Sequence, residues 1–225
     1  MSLHIAPGER VALVGASGAG KTTLASIVAG LLEPSGGPGA VRIGGVRFDE
    51  LGETRWRRQV ALISQDVHVF SVPLIDDVRL AAPDASLEQV RAALAKVGAT
   101  GWVAALPDGL GTVVGEIAHP LMASQAQQIA LARLILADPP IAILDEATAE
   151  AGSAGAHELE KAAAAAMAGR TSLVVAHRLT QAAAADRVIV MEHGRIVEDG
   201  PHAQLVEAGG RYATLWQAWQ GRARA

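Results

Sequence analysis

Apolar positions fall into two textures along the chain. Short apolar runs bounded by turn residues occur at Arg10–Val14, Ile141–Leu144, Ser172–Ala176 and Arg187–Met191. Runs this short, stopped by glycine, proline or aspartate, read as buried strands. Val41–Phe48 and Val60–Ser64 read as further strands of the same lobe, and Ile196–Glu198 as a small one after the Glu192-His193-Gly194 turn. The second texture is helical. Thr22–Leu32 predicts a helix closed by Glu33-Pro34, and helices dominate from about Ser71 to Ala137. There Ser86-Leu87-Glu88-Gln89 has the spacing of a capping box and opens a helix that Gly98 ends. Trp102–Leu106 and Gln125–Ala137 follow, the latter stopped by Asp138-Pro139-Pro140. The alanine run Ala162–Ala166 favours helix, and Tyr212, Leu215, Trp216 and Trp219 share helical spacing suited to packing. Strands alternating with helices predict an α/β fold with a mostly parallel sheet and an inserted helical subdomain. The predicted division is a core of 1–70 and 139–225 with helices at 71–138.

Composition narrows the chemistry. With 225 residues the chain is long enough for one domain of two lobes and a real core. A formal net charge of −4 argues against binding polyanions through bulk charge, and no basic, aromatic-interleaved stripe points to nucleic acid. The absence of cysteine excludes disulfides, thiolate metal sites and cysteine nucleophiles. No apolar run reaches the length of a membrane span, and the first ten residues lack a secretory pattern. Composition alone therefore predicts a soluble intracellular domain.

One segment carries specific chemistry. Gly15-Ala16-Ser17-Gly18-Ala19-Gly20-Lys21-Thr22 fits the P-loop pattern without a mismatch, after an apolar strand and before a helix. Glycines let backbone N–H groups close around phosphate oxygens, and the helix aims its positive end at the same anion. Lys21 is expected on the β- and γ-phosphates, the Thr22 hydroxyl on Mg²⁺, and Thr23 within the same cradle. A P-loop NTPase core, RecA-like in type, follows. Such a core also needs an acidic group at the end of another strand, and Ile141-Ala142-Ile143-Leu144-Asp145-Glu146 supplies it. Alone, an apolar run ending in two acids could equally be a helix cap. Paired with the P-loop, Asp145 is expected at the Mg²⁺ and Glu146 beside an attacking water.

Beyond these two motifs the chain resembles, over essentially its whole length, the nucleotide-binding domain of an ATP-binding cassette (ABC) transporter of the exporter type. Ile63-Ser64-Gln65-Asp66 resembles the Q-loop, which implies that Gln65 ligates Mg²⁺ and senses the γ-phosphate. Val67-His68-Val69-Phe70 is similar to the exporter continuation that faces a membrane domain, and Thr112–Glu116 to the exporter X-loop. Val175-Ala176-His177-Arg178-Leu179 resembles the H-loop, implying that His177 contacts the γ-phosphate and positions the water. The resemblance implies ATP and Mg²⁺ as ligands, catalysis by Glu146, His177, Gln65 and Lys21, and a place at the cytoplasmic face of a membrane. Its implied partners are a transmembrane domain and a second nucleotide-binding domain.

Three departures modify that expectation. The signature, usually Leu-Ser-Gly-Gly-Gln, stands here as Leu121-Met122-Ala123-Ser124-Gln125, with no hydroxyl at Met122 and side chains where glycine is usual. The D-loop region reads Ala149-Glu150-Ala151-Gly152, with glycine at the usual aspartate. Residues serving the chain's own nucleotide are kept, whereas those offered to an opposite nucleotide are altered. This predicts an asymmetric heterodimer whose partner carries an intact signature; a homodimer with two weakened sites is the other arrangement. A regulatory nucleotide-binding module with little hydrolysis is the alternative function. Lastly, none of the 14 residues before Gly15 is aromatic, so no adenine-stacking ring precedes the P-loop. The expectation is a piece of a longer chain with weakened isolated nucleotide affinity.

Overall fold

Branched aliphatic side chains fill the short apolar runs, and each run becomes a buried strand. A computed structural model describes residues 1–37, 40–145, 153–176 and 178–223. In chain order its strands are β1 (Arg10–Val14), β2 (Arg42–Ile43), β3 (Val46–Arg47), β4 (Val60–Ile63), β5 (Ile141–Asp145), β6 (Thr171–Val175), β7 (Arg187–Glu192) and β8 (Arg195–Gly200). Six of them form one sheet in the order β4-β5-β6-β1-β7-β8. Within this sheet β1 runs parallel to both β6 and β7, β5 runs parallel to β6, and the β7–β8 hairpin is antiparallel. The expected mostly parallel α/β sheet is therefore present.

The chain divides into two compact units. The first comprises Met1–Leu62, Pro140–Glu146 and Gly169–Ala225. On one face of its sheet, helix α1 (Lys21–Val28) and Trp56 pack on Val11, Leu13, Ile143 and Leu173. On the other face Ala182, Leu205 and Tyr212 cover Ala12, Val14, Val188 and Val190. These side chains belong to α9 (Leu179–Ala183), α10 (His202–Glu207) and α11 (Arg211–Ala223). The N–H groups of Arg211 and Tyr212 donate to the Glu198 carboxylate, which anchors α11 to β8. Burial pushes the Tyr212 phenol up to about 12, and its oxygen lies 2.8 Å from His202 Nδ1. Trp216 packs edge-on against His202 and stacks with Trp219, so the aromatic part of the expected packing face exists, but both tryptophans stay partly exposed and Leu215, expected to pack with them, is exposed.

The second unit comprises Ile63–Pro139 and Ala147–Ala168, and so contains all of 71–138. It holds α4 (Leu74–Arg79), α5 (Leu87–Lys96), α6 (Thr100–Ala104), α7 (Ala123–Ala137) and α8 (Ser153–Met167). α7 is its centre, packed by α4, α5 and α8. The capping box read at Ser86 is made in full: Ser86 N–H donates to Gln89 Oε1 at 2.7 Å and Gln89 N–H to Ser86 Oγ at 3.2 Å. Among the described residues no helix is long and apolar enough to cross a membrane.

The structure corrects several element boundaries. Val41–Phe48 is not one strand but the β2–β3 hairpin, because Gly44 and Gly45 both take positive φ and turn the chain in two residues. Helices α2 (Phe48–Leu51) and α3 (Glu53–Gln59) then follow. Helix α1 ends at Val28, short of the expected Leu32. There Gly30 adopts φ 76° and Leu31 N–H reaches back to Ser26 O at 2.8 Å, a glycine-terminated stop. A Cβ on Gly30 would lie 2.7 Å from Phe48, so the stop is also a packing point. α7 starts at Ala123 rather than Gln125, which places Ala123–Gln125 of the unusual signature in its first turn.

Candidate functional site

The central strand delivers the phosphate loop. β1 ends at Val14, and the chain leaves the C-terminal edge of the sheet, where parallel α/β folds collect ligands. Gly18 and Gly20 have φ of 78° and 98°, so the loop curls back before α1 begins at Lys21. Helix α1 has glycine at its N-cap and no side-chain cap. Its first N–H groups thus face outward for a ligand. Gly15, Ser17, Gly18, Ala19, Gly20, Lys21, Thr22, Thr23 and Ala176 line a concave space of about 440 Å³. The loop is backed by the β7–β8 turn, where Gly194 N–H donates to Ala19 O at 2.9 Å.

Within the cradle, Lys21 is buried, and its Nζ donates to Gly15 O at 2.8 Å and Ala16 O at 3.1 Å. Both carbonyls belong to the loop itself, so the ammonium is held inside the turn it must serve. Asp145, at the end of β5, is buried too, and Thr22 Oγ1 donates to its Oδ1 at 3.3 Å. β6 lies between β5 and β1 in the sheet, so the carboxylate starts two strand spacings, roughly 10 Å, from the P-loop strand. α1 closes that gap by carrying Thr22 over the strand ends. Two residues expected at Mg²⁺, from motifs 123 residues apart, are thereby brought together.

A hydroxyl beside a carboxylate is a hard oxygen pair that suits Mg²⁺. Among the described residues no group of three or more His, Asp or Glu side chains gathers for a metal. A cation here would complete its shell with phosphate and water oxygens, as Mg²⁺ does with nucleotides.

Gln65 follows β4 and belongs to the second unit, as does the signature Leu121–Gln125. Glu146, His177 and the D-loop positions Ala149–Gly152 lie outside the described residues. In the signature, Met122 is the N-cap of α7 and 64% exposed. Its N–H donates to Gln125 Oε1 at 2.8 Å, so Gln125 spends its amide oxygen on the helix start. Ala123 and Ser124 are the first two residues of α7, where added side chains are tolerated by the helix but thicken its tip.

The N-cap is the position where a serine hydroxyl would accept a free N–H of the first turn. Met122→Ser is therefore expected to stabilise the protein by about 1 kcal/mol, raising Tm by roughly 2–4 °C in a thermal melt. No rise would mean that the cap is not limiting.

Sequence reading missed the backing of the P-loop by Gly194, and Ala176 as part of the cradle wall. It also passed over Gln127, buried on α7 with its Nε2 donating to Ser64 O at 3.2 Å and Gln65 O at 2.6 Å. The available signal was a glutamine at a core-facing position of a helix.

Residues 1–149 match the ABC transporter family. The chain belongs to that family. As an ABC nucleotide-binding domain it is 44% identical over 216 residues to the ATP-dependent lipid A-core flippase of Thiobacillus denitrificans, covering 96% of this chain and 37% of the relative. It is 39% identical over 218 residues to the uncharacterized ABC transporter ATP-binding protein YknV of Bacillus subtilis, covering 97% of this chain and 36% of the relative. The structure of a bacterial Atm1-family ABC exporter with ATP bound superposes with a TM-score of 0.86 at 32% identity, over 95% of this chain and 37% of that one. The chain thus spans little more than a third of the length of these relatives.

Proposed function

We propose that the chain is the ATP-hydrolysing motor domain of an ABC exporter, working at the cytoplasmic face of a membrane against a transmembrane domain. The observation carrying this reading is the cradle lined from Gly15 to Thr23, whose Thr22 hydroxyl is hydrogen-bonded to Asp145. Thr22, Asp145 and, on the resemblance, Gln65 would hold Mg²⁺, which would supply positive charge to offset that of the phosphates. The backbone N–H groups of residues 16–22 hold the phosphates, and Lys21 supplies the fixed positive charge. Glu146 accepts a proton from the attacking water, and His177 steadies the γ-phosphate. Residues 1–70 and 139–225 act as the ATP-binding core, and 71–138 as the helical subdomain that relays its state.

The signature supports a finer reading, an asymmetric heterodimer. This chain keeps what serves its own nucleotide, but it presents an exposed thioether at Met122 where an opposite γ-phosphate would need a donor. One site, built from its P-loop and a partner's intact signature, hydrolyses; the other binds and turns over poorly. In the complex with its partner, Glu146→Gln is expected to lower ATPase activity at least a hundredfold while MgATP binding is retained. Survival of most activity would remove Glu146 from the active site. A wild-type complex that binds MgATP but never hydrolyses it would favour the regulatory module instead, which the Met122 cap also fits.

A further inference from the structure

The segment that carries Gln65 has a turn of its own, in which Ser64 Oγ donates to Asp66 O at 2.9 Å, and is further held by the signature helix. At its start, the buried Gln127 amide donates to the carbonyls of Ser64 and Gln65, as described above. At its other end, Arg133 donates to His68 O at 3.2 Å and, through Nε, to Asp77 O at 3.1 Å. The third Arg133 nitrogen pairs with Asp77 Oδ2, while Asp77 Oδ1 accepts the Phe70 N–H at 3.0 Å. Asp77 is fully buried, so this is a desolvated pair whose remaining lone pairs are spent on the loop. Gln127 and Arg133 lie six residues apart, about 9 Å along α7. Residues 64–70 are therefore fastened at both ends to one rigid element. That element begins at the signature residues Ala123–Gln125.

Two more features fit a fastening built for position. Gln127 Oε1 is buried with no partner among the described residues, an acceptor whose cost the two donor bonds must offset. The amide cannot be turned over to relieve it, since its oxygen would then face two carbonyls. The X-loop is strapped to the residues just after this segment: Leu74 N–H donates to Thr112 O at 3.0 Å and Val114 N–H to Val72 O at 3.1 Å. A Cβ on Gly115 would lie 2.9 Å from Ser71 Oγ, so the strap is close-fitting.

We propose that Gln127, backed by the Arg133–Asp77 pair, is a positioning residue for Gln65. It ties the backbone at the γ-phosphate-sensing glutamine to the helix that carries the signature, so the two move as one body. This rests on the reading of Gln65 as a nucleotide-sensing residue. The consequence is directional: when this chain's own nucleotide draws Gln65, α7 follows, and the surface offered to the opposite nucleotide shifts with it. Simple packing would hold the loop without transmitting anything.

Hydrogen exchange of the full-length protein, with and without MgATP, separates the two. In the wild type, MgATP is expected to slow exchange at Gly15–Thr23, at 64–70 and in the first turns of α7. Gln127→Met keeps the volume but removes both donors. It should cut the MgATP-linked protection of α7 at least fivefold while 64–70 still responds. Arg133→Lys, which keeps a charge beside Asp77, should loosen 68–70 about tenfold and blunt the α7 response in the same direction. Equal MgATP-linked protection of α7 in wild type and both variants would overturn the proposal, even if both melt earlier. Wild-type protection confined to Gly15–Thr23 would also overturn it while leaving ATP binding intact. No protection even at Gly15–Thr23 would remove the nucleotide reading, and the proposal with it.

Discussion

A Lys21→Ala protein is expected to bind MgATP about 100-fold more weakly than wild type and to lose nearly all hydrolysis. The Lys21 ammonium lies buried in the cradle and is oriented by the Gly15 and Ala16 carbonyls. Charged hydrogen bonds to phosphate oxygens contribute roughly 1.5–3 kcal/mol each, and about 2.7 kcal/mol corresponds to a hundredfold change in Kd. Loss of charge stabilisation in the transition state adds a further factor of about 10²–10³ in kcat. Equilibrium titration with MgATP and steady-state phosphate release measure the two effects separately. The fold should survive, because alanine is a good helix former at the start of α1 and the vacated space opens to the cradle. Unchanged affinity would mean that the cradle is not the nucleotide site.

Gly15→Ala is expected to damage the protein in a different way, through its backbone. A Cβ at position 15 would lie 2.3 Å from the carbonyl oxygen of Met191 and 3.2 Å from Ala19 Cβ. The first contact is with a neighbouring strand's main chain, so it cannot be relieved by a rotamer. Val14 pairs with Val190 beside it, and moving that register would disturb the centre of the sheet. The expected cost is about 3 kcal/mol or more, read as a large fall in denaturant midpoint or as insoluble expression. By contrast Gly18→Ala meets nothing within 4 Å and bears only the penalty of its φ of 78°. A Gly15→Ala protein as stable as Gly18→Ala would contradict the packing described for β1 and β7.

Much of the candidate nucleotide site is legible in the chain because the chemistry it proposes is local. A P-loop needs glycines, a lysine and a hydroxyl within a few residues, and no distant group can substitute for that spacing. Strand β5 was legible for the same reason, as an apolar run ending in acid. The capping box at Ser86 appeared as read, since both of its hydrogen bonds lie within four residues. The misreadings occurred where local pattern and tertiary packing compete. Val41–Phe48 has the apolar content of a strand, but two adjacent glycines fold it into a hairpin. Phe48, 4.9 Å edge-on to the buried Trp56, then starts a helix instead. The predicted helix to Leu32 likewise lost its last turn to Gly30, which sits against those same two rings.

Taken alone, the sequence determined the family, the P-loop, the acidic end of β5 and the unusual signature, all of which are short patterns of residue type. Tertiary structure decided what those patterns touch. It placed Thr22 against Asp145 across an intervening strand, and it put Met122 at a helix cap. It also fastened residues 64–70 to α7 through Gln127, Arg133 and Asp77. The physical reason is that hydrogen-bond partners of buried polar groups are chosen by the fold. A buried glutamine must spend its donors somewhere, but only the packed chain specifies on which carbonyls.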